Sequence, residues 1–183
     1  MPELPEVETI VRDLNKGIRN KKITGIKSLD NKVFQLSGEE AKTVIGKKIK
    51  AVQRRAKMII IDLGKVSLII HLKMTGQLVY KSRSRLIAGG HPIANEGKTL
   101  PNKFTRVIFE FNDKSRLYFN DVRRFGWVKL VSSRALNELK ANLGLEPLSP
   151  KFTLEYFKKF LSHKPKTTIK QALIDQKYIS GIG

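Results

Sequence analysis

Five apolar residues near the start of the chain, Val7, Ile10, Val11, Leu14 and Ile18, recur at the i, i+3, i+4, i+7 and i+11 spacing of one helix face. They predict an N-terminal helix with Gly17 near its end. A second, short helix is predicted after Ser37, because "SGEE" has the Ser-x-x-Glu form of a capping box. The period then changes. "KMIIIDL", "VSLIIHL", "RVIFEF", "RLYFN" and "GWVKLV" are short runs rich in Ile, Val and Phe, and turn-forming "LGK" and "NDKS" separate some of them. Links this short favour antiparallel hairpins, so the core is expected to be an antiparallel β-sandwich or barrel. Between Lys81 and Lys103 a Gly-Gly pair, two prolines and many polar residues show no period, which predicts a long mobile surface loop.

After about Ser132 the pattern turns helical, in "SSRALNELKANLG" with Gly144 as its terminator, then "TLEYFKKFLSH" and "TTIKQALIDQKY". The fold class expected is therefore α+β. A β-sandwich domain over 1–131, flanked by the N-terminal helix, is followed by the beginning of a helical domain over 132–183.

Charge narrows the partners. Thirty-six Lys and Arg against 16 Asp and Glu leave a formal charge of +20, and an excess of that size points to a polyanion. Nucleic acid is favoured, since neutralising phosphates releases counterions, and no basic amphipathic helix of the membrane-surface kind stands out. No apolar run approaches a membrane span and no signal-peptide pattern is visible, so a soluble cytoplasmic protein is expected. The absence of cysteine removes disulfides, thiolate chemistry and cysteine-ligated zinc. His71, His91 and His163 are scattered singly and suggest no metal cluster.

The opening "MPELPEVETI" carries candidate chemistry. Initiator methionine is normally removed before a small residue, which would leave Pro2 as a secondary amine. An α-amino group titrates far below a lysine, so part of it is neutral and nucleophilic near neutral pH. Such an amine can attack a sugar carbon and form an iminium ion, an electron sink. Glu3 is placed to act as an acid on a sugar ring oxygen or to shuttle the proton, and Glu6 lies three residues on, on the same helical face. Helix geometry alone also favours proline and acids in a first turn.

Further along stand "QRRAK" (53–57), "HLKMTGQL" (71–78), "RRFG" (123–126) and "LGLEPLS" (143–149). With "MPELPEVET" these stretches, in order over nearly the whole chain, resemble the formamidopyrimidine-DNA glycosylases, bacterial enzymes that excise oxidised purines. Pro-Glu-Leu-Pro-Glu favours that branch over the endonuclease VIII branch.

The resemblance implies a bifunctional reaction on damaged double-stranded DNA by a monomeric enzyme. Pro2 attacks C1′ and expels the base, a Schiff base forms, and β- then δ-elimination cut the strand. Glu3 is implied as proton donor in base release. Lys57 is implied as proton donor for β-elimination, though a phosphate contact is its plain reading. Met74, Arg123 and Phe125 match the set that fills the gap left by a flipped nucleotide, and Lys170 matches a lysine near the damaged nucleotide.

Three departures stand against the pattern. Lys103, Phe104, Thr105 and Arg106 occupy a stretch that is usually Lys-His-x-His, with Arg106 as the substitute phosphate contact. Pro165 replaces a basic DNA contact, and the 81–103 stretch is longer than usual. The family also continues past "GIG" with another helix and a four-cysteine zinc finger. The expectation is thus an incomplete helical domain of helix–two-turn–helix type, no zinc or other cofactor in this chain, and weakened DNA binding. A non-catalytic lesion- or DNA-binding remnant is the alternative, and a basic RNA- or ribosome-binding protein fits the charge alone.

Overall fold

A computed structural model describes residues 2–92, 99–162 and 166–183. Met1, His163 and Pro165, which carry expectations above, lie outside the described residues, as do 93–98. In chain order the elements are α1 (Leu4–Ile18), β1 (Ile23–Ser28), α2 (Gly38–Val44), β2 (Ala51–Arg55), β3 (Met58–Asp62), β4 (Val66–His71), β5 (Gly76–Lys81), β6 (Leu86–Gly90), β7 (Thr105–Phe111), β8 (Arg116–Asp121), β9 (Trp127–Ser132), α3 (Ser133–Ala141), α4 (Leu154–Ser162) and α5 (Ile169–Ile174).

The strands form two antiparallel sheets, ordered β1-β7-β8-β5-β6 and β2-β3-β4-β9. They face each other across a shared apolar core, an α+β sandwich as expected. β3 and β4 read as continuous apolar runs because both of their faces are covered. Ile59, Ile61, Leu68 and Ile70 join the inter-sheet core, whereas Met58, Ile60 and Ile69 point outward onto Leu136 of α3.

α1 starts with Pro5 in its first turn, where the fixed φ helps and the missing N–H is not needed. The face read from the sequence, Val7, Ile10, Val11, Leu14 and Ile18, is buried. α1 packs on β2 and β6, the edge strands of the two sheets, and so closes one open side of the sandwich. The approach to β6 is so close that a Cβ on Gly89 would overlap Ile10. α2 carries the expected capping box between Ser37 and Glu40.

Two expectations need correction. The 81–103 stretch is not one long loop. Leu86–Gly90 is β6, paired with β5 from Lys81↔Leu86 to Gln77↔Gly90, and the Ser82 N–H to Arg85 carbonyl bond of 2.8 Å closes the hairpin. Its two glycines and exposed edge position hid the strand period. Gly144 does not end α3, which stops at Ala141 with Asn142 as C-cap; the Gly144 N–H instead reaches Gln176 O at 2.9 Å.

The helical stretch has an apolar cluster of its own, in which Phe160, Ala172 and Ile179 are buried against Phe152, Phe157 and Tyr178. It is tied to the sandwich by a partly buried ionic network. Glu146 accepts both terminal nitrogens of Arg54 at 2.8 Å and the Ala56 N–H at 2.7 Å. Arg54 Nε reaches Glu8 of α1 at 2.7 Å. Arg55 donates to the carbonyls of Leu143 and Gly144 at 2.9 and 2.8 Å and to Ser180 Oγ at 3.1 Å. Burial by itself raises the Glu146 carboxyl, but the bonds from Arg54 and Ala56 outweigh it and hold the group below the usual carboxylate range.

Removing one partner of such a network strands the others. Glu146→Ala is therefore expected to lower the unfolding free energy by about 3 kcal/mol, measured by urea titration of Trp127 fluorescence. Glu146→Gln, which still accepts from Arg54, should lose less.

Candidate functional site

The first corner of the site lies where α1 begins. Pro2 is buried, and Glu3 is the N-cap of α1, its carbonyl accepting the Val7 N–H at 3.0 Å. The Glu3 side chain does not cap the helix. It meets Lys57 Nζ at 3.1 Å, with the Lys57 side chain 5% exposed and that of Glu3 39% exposed. A nearly buried ammonium thus faces a carboxylate that is open to solvent on its other side.

Lys57 occupies the turn between β2 and β3, after Ala56 in the left-handed region at φ 51°. The "ISGIG" segment folds back over this corner, so that Gly183 lies against Lys57 Nζ and the Glu3 carboxylate with no room for a side chain. Glu6 is exposed, and no hydrogen bond or ion pair joins it to this corner among the described residues.

His71, across β3 and β4 from Met58, borders the same corner. Its Nδ1 accepts the Lys73 N–H at 3.0 Å and its ring lies 5.6 Å from Trp127. Burial, with Lys73 and Lys57 nearby, pushes the imidazole down to about 4.

The second part comprises two loops at the same end of the sandwich, residues 72–75 between β4 and β5 and residues 122–126 between β8 and β9. They bring together three residues predicted from the sequence. Met74 and Phe125 are 45% and 48% exposed. Arg123 lies between them, its guanidinium 4.8 Å from the Phe125 ring centre and its Nη1 3.5 Å from Met74 Sδ. Beside the trio is a hollow of about 470 Å³ whose lining includes Lys73, Arg124 and Trp127.

Lys73 and Arg124 have φ of 52° and 58°. Arg124 is held by a two-pronged ion pair to Asp30, at 2.5 and 3.0 Å, which keeps the Asp30 carboxyl below its usual range.

Lys170 is exposed on α5. Arg106, expected to compensate for the missing phosphate-contacting histidine, is turned inward: its Nε donates to Asp121 O at 2.9 Å and lies 3.9 Å from Asp30, with 18% of the side chain exposed. Sequence reasoning missed Asp30, Thr75, Asp121 and Glu146, the acceptors that fix these turns. Glu146 and Thr75 lay inside quoted motifs without a role, and Asp30 and Asp121 had no local signal. Among the described residues no three His, Asp or Glu stand together as metal ligands, and no helix is long and apolar enough to cross a membrane.

With this geometry in hand, residues 1–128 match the family model described as formamidopyrimidine-DNA glycosylase N-terminal domain. A curated relative from Pelotomaculum thermopropionicum, named formamidopyrimidine-DNA glycosylase, is 41% identical over 188 residues, covering 100% of this chain and 63% of the relative. Among solved structures, a Lactococcus lactis Fpg in complex with DNA containing an abasic site superposes with a TM-score of 0.76 at 30% identity, covering 100% of this chain and 63% of that one. Another, a G226P variant of the Lactococcus lactis protein with Fapy-dG-containing DNA, gives 0.76 at 31% identity, with 100% and 63% covered. The chain thus spans under two thirds of the length of these relatives.

His71 sets a pH dependence. The unfolded imidazole takes a proton near 6.5, whereas the folded one does so only at about 4. Between those values the unfolded chain binds more protons, so stability is complete above the window and falls as pH drops through it. The loss is on the order of 2–3 kcal/mol. His71→Gln is expected to flatten that part of a curve of urea midpoint against pH; an unaltered slope would refute a buried neutral imidazole.

Proposed function

Because this chain belongs to the formamidopyrimidine-DNA glycosylase family, whose N-terminal domain it carries, we propose that it excises oxidised purines from DNA and cleaves the resulting abasic strand. Its substrates are 8-oxoguanine and formamidopyrimidines in duplex DNA. The observation that carries this reading is the Glu3–Lys57 pair at 3.1 Å directly beside Pro2. The damaged DNA bound to the Lactococcus lactis relatives supports the same ligand class here.

In this mechanism the Pro2 amine, free once Met1 is removed, attacks C1′, and the C1′–N bond to the base breaks as the base takes a proton. Glu3 protonates the sugar ring oxygen, the ring opens and the C1′=N⁺ iminium forms. Loss of a C2′ proton then pushes electrons toward the iminium and expels the 3′-phosphate, with Lys57 as proton donor. A second elimination expels the 5′-phosphate, and hydrolysis returns Pro2. Met74, Arg123 and Phe125 serve the step before chemistry: Phe125 wedges between bases, Met74 fills the vacated space and Arg123 bonds the orphaned base. The family's cysteine-ligated zinc has no ligands among the residues of this chain, and no step here uses it.

Borohydride reduction on abasic-site DNA tests the reading. Protein lacking Met1, as verified by intact mass, is expected to become covalently trapped, and Glu3→Gln to lose base excision by at least about 100-fold. Binding without any trapped adduct would leave a non-catalytic lesion binder instead.

A further inference from the structure

Met74 and the Arg123–Phe125 pair sit on separate β-connections, yet one carboxylate joins them. Asp121, at the end of β8, is 0% exposed. Its Oδ1 accepts the Thr75 hydroxyl from the first loop and the Arg123 N–H of the second, the latter at 3.1 Å. Its Oδ2 accepts the Gly126 N–H at 2.7 Å. Thr75 Oγ1 closes the triangle by accepting the Arg123 N–H at 3.0 Å. The main chain of Asp121 is fixed as well, its N–H on Phe104 O and its carbonyl under Arg106 Nε, each at 2.9 Å.

This arrangement exceeds what a turn needs. An ordinary Asx turn uses one side-chain oxygen and one N–H, and asparagine makes it equally well. Here both oxygens accept, and the donors come from two chain segments. An amide cannot substitute, because one of its two ends donates. Gly126 completes the fit: a Cβ there would lie 2.7 Å from Phe119 Cζ and 3.0 Å from Asp121 Oδ2, so the loop backbone presses onto the carboxylate only without a side chain. The same loops leave Met74 and Phe125 nearly half exposed.

We propose that Asp121 and Thr75 are a latch that locks the two loops into one preformed wedge, and are thus positioning residues for opening a DNA stack. The inference rests on the reading that Met74, Arg123 and Phe125 enter the duplex. A wedge ordered beforehand does not lose conformational freedom on binding, whereas two independent loops would.

The test uses Asp121→Asn and Thr75→Val in the full chain. 2-Aminopurine placed beside an abasic-site analogue in a duplex reports unstacking without any chemistry. Borohydride trapping compares an abasic site in duplex with one in single-stranded DNA, where no stack has to be opened. Each variant is expected to lose most of the fluorescence rise, and its trapping rate to fall at least about tenfold more on duplex than on single strand. Neither loss should add to that of Met74→Ala with Phe125→Ala, since all would remove the same wedge.

Fluorescence at the unaltered level in both variants, additive losses, or equal losses on the two substrates would overturn the latch, as would no fluorescence rise with the unaltered protein. Should Asp121→Asn fail to fold, Thr75→Val, which removes one hydroxyl, decides alone. Failure of the enzymatic reading looks different: the unaltered protein unstacks the duplex, the variants do not, and nothing is trapped.

Discussion

Lys57 reaches Glu3 because the turn before it is held in a conformation that Ala56 would not choose. Left-handed backbone costs an L-residue about 1–2 kcal/mol, and Ala56 sits there at φ 51°. Both ends of the residue are secured: its N–H goes to Glu146 at 2.7 Å and its carbonyl accepts from Arg54 at 3.0 Å. The same Glu146 and Arg54 engage each other, and Arg54 also engages Glu8 of α1. One partly buried network therefore sets the lysine, the helix that presents Pro2 and Glu3, and the segment leading to the helical stretch.

That device recurs. Three of the non-glycine residues with positive φ, Ala56, Lys73 and Arg124, directly precede Lys57, Met74 and Phe125. Each is held by a neighbour of different chemistry, Ala56 by Glu146, Lys73 by the His71 imidazole and Arg124 by Asp30. Unfavourable backbone geometry persists only where its surroundings over-determine it, and it gathers where side chains must be aimed. In a chain with 16 acids against 36 bases, three of the acids, Asp30, Asp121 and Glu146, hold these turns.

The parts of the fold legible in the sequence were those with a strong local period. α1 followed from its apolar face, and five strands from runs that are buried between the sheets or beneath α3. β1, β2, β5 and β6 escaped, β5 although five of its six residues are buried, and the other three for physical reasons. β1 has one fully buried residue, β2 carries two arginines that point into an ionic network, and β6 has a glycine pair at a sheet edge. At the site, the side chains that would touch DNA were legible through motif resemblance. The acceptors Thr75, Asp121 and Asp30 were not, because each bridges segments far apart in sequence and has no spacing signature of its own.

An exposed apolar wedge has conflicting demands: it must stay out of the core, yet not be so bare that it collapses or aggregates. The Arg123 guanidinium meets both. Lying over the Phe125 ring at 4.8 Å and against Met74 Sδ at 3.5 Å, it covers one face of the apolar pair with a planar cation that stays hydrated at its edge. On the proposed reading, entering a base stack exchanges one stacked arrangement for another, with the arginine already beside the gap where an unpaired base offers acceptors. The carboxylate beneath the loops fixes their relative position, and the cation above shields the exposed apolar pair in water.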